Sequence, residues 1–375
     1  MKLLIIIDSL GSGGAERSTA VICKYLQTHN VEFQILCLDK KEVGVQQEML
    51  EEGYSIYFLE KINFFSQVRE IRHFIKNGEF DLVHSILFRA NIRTRFARIF
   101  SRFLHLESLV NTTYSHERFA DKKVNQKALK FYKYLDKKTA SGAVDYFHSI
   151  THTVKQHYIE EIDLKPEKIS VIPRGRKSLL TSYEERPEHC TKTFKLVNVG
   201  RHEFQKGQIY LLQAIKILKE KGYDIHLTIL GRNGSTTSSL KEYVKSNQLD
   251  ETVTFEGFKD NVPDYLLRSD LFVFPSLFEG LGGALIEAQA AGLPVACNNI
   301  PVLHEVVEQD IQAKFFDVHD LNSVVETIAF FIDNPEVCKI YGKRSLENFQ
   351  TNFRESVSNQ KMLNLYVKLC SDTGK

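Results

Sequence analysis

The chain has 375 residues, 43% of them apolar and 26% charged, with 49 Lys and Arg against 47 Asp and Glu. That balance excludes a disordered chain, and the length suits two domains of about 100–200 residues, each with its own core. The six cysteines, at 23, 37, 190, 297, 338 and 370, lack the close spacing of a zinc or redox motif and suit a reducing compartment. The aliphatic run Leu3 to Ile7 is a core strand, too short for a signal peptide or a span of about 20 residues, so a soluble protein is expected.

In chain order, LLIII opens as a strand, GSGGAE (11–16) as a glycine turn, and a helix comes next from about Ser18 to His29. FQILCL (33–38), SIYFL (55–59) and DLVHSI (81–86) read as strands, with a helix over 64–77. A further helix is expected over 88–104. At about 100° per residue it places Phe88, Ile92, Phe96, Ile99, Phe100, Phe103 and Leu104 in one apolar sector, with Arg95, Arg98 and Arg102 outside. The polar segment around 170–190 carries Pro173 and Pro187 and marks a domain boundary.

The pattern then restarts. Strands are expected at 195–200, 225–231, 253–257, 270–276 and 294–297, and helices at 208–222, near 237–247 and about 284–291, with charged helical stretches after 320. Strands alternating with helices predict an α/β chain of two similar domains, each a parallel sheet covered on both faces. The domains are expected at 1–180 and 190–355, with residues 356–375 as a terminal helix.

Charge is uneven. Residues 1–190 hold 29 basic and 24 acidic residues, and the stretch 85–140 alone holds 13 basic and 4 acidic. Lys122, Lys123, Lys127, Lys130, Lys133, Lys137 and Lys138 crowd one region with only Asp121 and Asp136. Such a surface attracts phosphates, nucleic acid or anionic lipid. No recognised nucleic-acid module accompanies it and the second half is acidic, so nucleic acid is not expected.

Three glycine-bearing turns stand out. In GSGGAE, Glu16 occupies the place of the third glycine of a dinucleotide fingerprint, so a nicotinamide enzyme is poorly supported. In GRHEFQKG (200–207), Arg201 and Lys206 lie on one loop between strand and helix, where a guanidinium and an ammonium suit a diphosphate. In FPSLFEGLGGALIEAQAAGLPV (274–295), Glu279 sits in the turn and Glu287 inside the helix. Gly282 and Gly283 let a ligand lie against the helix start, and a carboxylate is a good acceptor for paired sugar or ribose hydroxyls.

Together GGAE at 13–16, VGRHEFQKG at 199–207 and the two glutamates of FEGLGGALIEAQAAGLPV resemble the retaining glycosyltransferases of the GT-B fold, often called group 1 or family 4. The resemblance implies two Rossmann-like domains with parallel sheets facing across a cleft, an acceptor on the N-terminal side, and a nucleotide-sugar on the C-terminal side. It also implies a last helix crossing back to the first domain. Residue by residue, it puts Arg201 and Lys206 at the donor diphosphate, Glu287 at the ribose and Glu279 at the donor sugar. It puts Gly13, Gly14, Gly282 and Gly283 near phosphate or sugar, and Phe258, Asn261 and Val262 beside the base. On the acceptor side, DLVHSILFRAN (81–91) echoes a family pattern and retains His84, with Ile86 and Arg89 where relatives carry histidine. Tyr114 stands near another such position, and Arg89 and Arg93 are candidates for an acceptor phosphate.

The resemblance implies a hexosyltransferase with no cofactor beyond its nucleotide-sugar, UDP-sugar ranking ahead of GDP-sugar. A D-x-D metal signature is absent from the sequence, so transfer without a metal is expected. The implied acceptor is a glycan or lipid-linked sugar in surface polysaccharide or glycolipid synthesis. The protein is expected in the cytoplasm, with peripheral contact to an anionic membrane. The alternatives are a non-catalytic partner that keeps the fold and a nucleotide-sugar epimerase. A glycoside hydrolase ranks low, because it needs no basic phosphate loop.

Overall fold

The computed structural model describes residues 1–120, 124–187 and 192–372. Two compact units divide the chain: Met1–Gly175 together with Glu355–Lys375, and Arg176–Arg354. The first unit takes its sheet from β1 (Lys2–Ile7), β2 (Glu32–Cys37), β3 (Ile56–Phe58), β4 (Leu82–Ile86), β5 (His105–Leu109), β6 (Tyr146–Ser149) and β7 (Ile169–Val171). Its helices are α1 (Gly14–Thr28), α2 (Gln46–Glu51), α3 (Phe64–Gly78), α4 (Phe88–Ile99), α5 (His116–Ala120), α6 (Gln126–Ala143) and α7 (His152–Ile162). All strand pairings are parallel, in the order β3-β2-β1-β4-β5-β6-β7.

The second unit alternates β8 (Phe194–Val199), α8 (Gln208–Glu220), β9 (Ile225–Leu230), α9 (Thr237–Ser246), β10 (Val253–Gly257), α10 (Val262–Leu267), β11 (Leu271–Phe274), α11 (Gly283–Ala290), β12 (Val295–Asn298) and β13 (Ala313–Phe316), and then α12 (Leu321–Asp333) and α13 (Pro335–Asn352). Its sheet is also wholly parallel, in the order β10-β9-β8-β11-β12-β13. The last helix, α14 (Glu355–Asp372), belongs to the first unit.

Strand alternation explains the two-sided core of the first unit. Leu3, Ile5 and Ile7 face one way and pack with Ile22, Cys23 and Leu26 of α1 and with Met362, Leu365, Tyr366 and Leu369 of α14. Leu4 and Ile6 face the other way and meet Val68, Ile71 and Ile75 of α3 and Ala90 and Ala97 of α4. The helix α14 is thus a structural part of the first sheet's covering layer. In the second unit, Leu211, Leu212, Ile215 and Leu218 of α8 and Val324, Val325, Ile328 and Phe331 of α12 close one core with β8, β9 and β11.

Two local expectations change. Helix α1 begins at Gly14, four residues before Ser18, because the glycine run opens the helix instead of preceding it. Helix α4 stops at Ile99, and its expected apolar sector is only part of its buried face: Ile92 is buried and Phe96 packs against the core. Ile99 and Phe100 are 57% and 62% exposed, whereas Arg95, placed outside the sector, is 1% exposed. Acidic partners beneath the helix outweigh side-chain hydrophobicity at that position.

Candidate functional site

In a doubly wound sheet the crevice lies where strand order reverses, beyond the C-terminal ends of the strands. In the second unit that point falls between β8 and β11, and the loops after these strands carry the two sharpest motifs. They are joined by backbone and side chain. Leu277 N–H donates to Gln205 O at 2.8 Å, and Gln205 Nε2 donates to Phe278 O at 2.7 Å. Lys206 Nζ reaches Glu279 Oε1 at 2.5 Å, with the two side chains 18% and 9% exposed, and lies 5.7 Å from the Phe274 ring. Arg201 is exposed on the same loop.

The helices that leave this crevice start without side-chain caps, α8 at Gly207 and α11 at Gly282. Both glycines are left-handed, with φ of 59° and 80°, and a Cβ on Gly207 would stand 2.1 Å from Pro275 O. First-turn N–H groups therefore face the same crevice as Lys206, an arrangement that attracts an anion. Glu287, one turn into α11, accepts from Arg176 Nε at 2.9 Å. A Cβ on Gly283 would stand 2.1 Å from Arg176 Nη2, so the missing side chain gives the guanidinium its place over the helix start. A carboxylate offers about four lone-pair sites, so Glu287 has capacity for a diol beside Arg176.

At the outer side of this crevice Phe258 is 41% exposed, and the Arg232 guanidinium lies 4.1 Å from its ring centroid. Asn261 Nδ2 donates to Asp264 Oδ2 at 3.1 Å, and Val262 opens α10 in a half-buried position. His202 is fully buried behind Arg201. Its N–H donates to Arg232 O at 3.1 Å and its carbonyl accepts from Thr236 N–H at 3.0 Å, which pins the loops after β8 and β9 together. Burial, with Lys241 adding to it, lowers the basicity of its ring.

The first unit's equivalent point lies between β1 and β4. Gly13 and Gly14 are exposed at the uncapped start of α1. Asp8 comes directly after β1 and accepts the Ala90 N–H of α4 at 2.7 Å; burial raises its carboxyl to about 6, against the pull of that N–H and of Arg89. Arg89 pairs with Asp39, whose carboxyl is lowered by that bond. Arg93 donates through Nε to Gln67 Oε1 at 2.6 Å and lies over the Phe64 ring. Both arginines sit at this sheet edge, already engaged with protein groups.

His84 and Tyr114 are both buried and held by protein groups. His84 is 3% exposed and belongs to a buried relay: Tyr366 Oη to His84 Nδ1 at 2.8 Å, His84 Nε2 to Ser108 Oγ at 2.8 Å, Ser108 Oγ to His148 Nδ1 at 2.9 Å, and His148 Nε2 to Ile172 O at 2.9 Å. The carbonyl at the end only accepts, so with both rings neutral every bond has one direction: Tyr366 donates to His84, His84 to Ser108, Ser108 to His148, and His148 to Ile172 O. Burial keeps both rings neutral, His84 well below its ordinary value and His148 at about 4. These groups line a cavity of about 50 Å³ roofed by Ser358, Asn359 and Met362 of α14.

Tyr114 is 2% exposed and its hydroxyl donates to Asp136, which also holds Arg95 at 2.8 Å. Burial and the Asp136 charge push the phenol far above its ordinary range, which removes it as a base. The basic stretch is partly neutralised in the same way. Arg95 binds Glu107 and Asp136, Arg98 binds Asp145, Lys133 binds Glu161, and Lys137 binds Asp163. Asp121, Lys122, Lys123 and Cys190 lie outside the described residues.

Comparison with known proteins matches both units to families. The family model described as Glycosyltransferase Family 4 matches residues 12–177, and that described as Glycosyl transferases group 1 matches residues 182–347. The chain is a GT-B glycosyltransferase of this family. It is 24% identical to the UDP-Gal:alpha-D-GlcNAc-diphosphoundecaprenol alpha-1,3-galactosyltransferase of Escherichia coli over 95% of this chain and 94% of that one. It is 27% identical to the capsular polysaccharide biosynthesis glycosyltransferase CapH of Staphylococcus aureus over 82% and 83%. Among solved structures, Anabaena HepE in complex with UDP shares the fold at a TM-score of 0.81 and 17% identity, over 98% of this chain and all of that one.

The glycosyltransferase transfers a sugar from a nucleotide-sugar donor to an acceptor. Sequence reading missed several of its crevice residues. Arg176 sits in the polar segment read as linker, and its only signal was the dense RGRK run. Asp8 was legible as an acid directly after the first strand. His202 lies inside a quoted motif, but nothing in the sequence distinguishes a buried histidine from an exposed one.

Proposed function

We propose that this glycosyltransferase is a retaining, metal-independent hexosyltransferase. It moves a sugar from a UDP-sugar to a lipid-linked sugar diphosphate during surface polysaccharide or glycolipid synthesis. The observation that carries the reading is the Lys206–Glu279 pair between two uncapped helix starts at the second unit's switch point. Its donor and acceptor classes are taken from the Escherichia coli relative, whose name specifies UDP-Gal and a diphosphoundecaprenol-linked sugar.

As the bond from the anomeric carbon to phosphate lengthens, negative charge grows on the departing diphosphate. Arg201, Lys206 and the N–H groups of α8 and α11 stabilise that charge, which is the contribution a divalent cation makes in other transferases. Glu279 holds Lys206 in place and accepts from donor sugar hydroxyls, and Glu287 accepts from the ribose. The leaving phosphate takes the acceptor's proton as the acceptor oxygen bonds to the same face of the anomeric carbon. No protein nucleophile is needed, which is consistent with buried His84 and Tyr114. We place the protein in the cytoplasm at the inner face of the membrane. The free thiols of Cys23, Cys37, Cys297, Cys338 and Cys370 support a reducing compartment.

Calorimetric titration with UDP, GDP and ADP tests the reading. The expected result is saturable UDP binding, weakened by both Arg201→Ala and Glu287→Ala, and a transfer product whose anomeric proton shows retained configuration by NMR. No binding by any nucleotide in a folded sample overturns it. Binding without turnover on lipid-linked acceptors favours the non-catalytic partner.

A further inference from the structure

Helix α6 presents a face that sugar transfer leaves without a role. Its inner side carries Leu129, Asp136, Ala140 and Ala143. At about 100° per residue, the opposite side aligns Lys127, Phe131, Tyr134 and Lys138 in one ridge, with Lys130 at its edge. Phe131 and Tyr134 are 57% and 59% exposed, and the three lysines are exposed as well. Lys138 Nζ lies 5.8 Å from the Tyr134 ring centroid. Asp136, the one acid in the helix, points inward to Arg95 and Tyr114. The other two lysines of the helix, Lys133 and Lys137, sit on the flank and are paired to Glu161 of α7 and to Asp163 just after it. The outward ridge therefore combines two solvent-facing rings with three cations and no acid of its own.

Each part of that combination has a physical consequence. An aromatic ring held in water gains by moving to a boundary that is apolar on one side and wet on the other. Exposed ammonium groups beside it gain from a surface dense in phosphate, and their long stems let them reach headgroups while the rings enter. A protein partner of acidic character would satisfy the lysines alone, and an apolar one the rings alone.

We propose that the outward ridge of α6 is a docking surface for the headgroup layer of an anionic bilayer, with Phe131 and Tyr134 entering the interface and Lys127, Lys130 and Lys138 contacting lipid phosphates. The docking does not require the donor reading, since the ridge shares no residue with the crevice of the second unit.

Vesicle flotation of the full chain tests this, comparing phosphatidylcholine with phosphatidylcholine mixed with phosphatidylglycerol, at low and high salt. Binding is expected only to the mixed vesicles and is weakened by salt. A lysine near an anionic surface contributes about fivefold, so Lys127→Gln, Lys130→Gln and Lys138→Gln combined lower binding about a hundredfold. Phe131→Ser with Tyr134→Ser lowers it about tenfold or more while leaving the salt dependence in place. All five positions are exposed, and an unchanged far-ultraviolet circular dichroism spectrum and melting temperature confirm that each variant is folded. Equal binding to neutral vesicles, no binding at low salt, or parent-like binding by the triple variant overturns the proposal. So does equal affinity for a DNA duplex at the same salt, which would mark a general polyanion surface. Loss of UDP binding with vesicle binding intact would overturn the donor reading alone.

Discussion

The two sheets run through the same strand order for six strands, yet they put their charged and titratable groups in different places. In the second unit, Arg201, Lys206 and Glu279 stand on loops at the C-terminal rim, joined across the point where strand order reverses. In the first unit, much of the polar chemistry has moved inward, into the Arg95–Glu107–Asp136 cluster and the His84–Ser108–His148–Tyr366 relay. A rim loop keeps an ionised group within reach of a ligand, whereas a strand interior forces the same group to find a protein partner. The comparison teaches that residue type alone does not mark the site; the element that carries the residue decides.

The largest effect should come from the interior of the first unit. Burial works against the Arg95 charge, but Glu107 and Asp136 more than offset it, while burial raises Glu107 against the pull of Arg95. Arg95→Met leaves two carboxylates with no cation and should cost about 3–5 kcal/mol in urea unfolding. Lys206→Ala is expected to weigh the other way: a smaller cost in unfolding, because one cation and one carboxylate are involved and Lys206 is 18% exposed, and a fall in kcat of about a hundred- to a thousandfold as the diphosphate loses a charge partner. An Arg95 variant of native stability, or a Lys206 variant of native turnover, would erase the distinction between interior and rim.

Acid should separate the units next. Burial depresses His84 well below its ordinary value, His105 to about 3 and His148 to about 4. The unfolded chain takes up these protons near its ordinary 6.5. Stability from the neutral rings is therefore complete above that value and is lost as pH falls through the window down to about 4. Asp8 acts in the opposite sense, because its raised carboxyl binds a proton in the folded state first, between about 6 and 3.8. Glu107, which burial also raises, acts in the same sense as Asp8, while His157 adds to the histidines, so the net expectation is a loss of stability toward acid. Urea midpoints measured from neutral to mildly acidic pH check this; a flat profile would mean that the relay does not hold its histidines neutral.

Much of the fold was legible because parallel strands buried on both faces read as aliphatic runs, as LLIII and FVF do, and because glycines mark the turns. The second unit's rim was legible for a related reason: Arg201 and Lys206 lie five residues apart on one loop, and Glu279 and Glu287 lie in one strand–turn–helix segment. Arg176 was not legible, since its contact with Glu287 spans 111 residues of chain. The inward face of α4 was not legible either. Its arginine is held by Glu107 and Asp136 from other elements, and no helical periodicity reports such a partner. For the same reason the partners of His84 were not legible: a strand-end histidine has one appearance in sequence whether its nitrogens meet a ligand or Tyr366 and Ser108.

The smallest expected effect sharpens the comparison at its finest point, the start of α11. Gly283 has an ordinary helical backbone, so alanine there meets no strain of its own; its Cβ meets the far end of the Arg176 side chain. That end moves at little cost, and Ala favours a helix over Gly, so Gly283→Ala should shift unfolding by no more than about 0.5 kcal/mol. Arg176 would then lose its hold on Glu287, and a carboxylate that is no longer oriented binds a ribose diol less well. UDP affinity is expected to fall about two- to fivefold, a difference of roughly 0.5–1 kcal/mol, by calorimetry. Unchanged affinity would mean that Glu287 needs no partner to face the ribose, and tighter binding would mean that Arg176 occupies the ribose position in the free protein. Either result would move the role of Arg176 from positioning to occlusion or to neither, while leaving Lys206 and Glu279 where the geometry puts them.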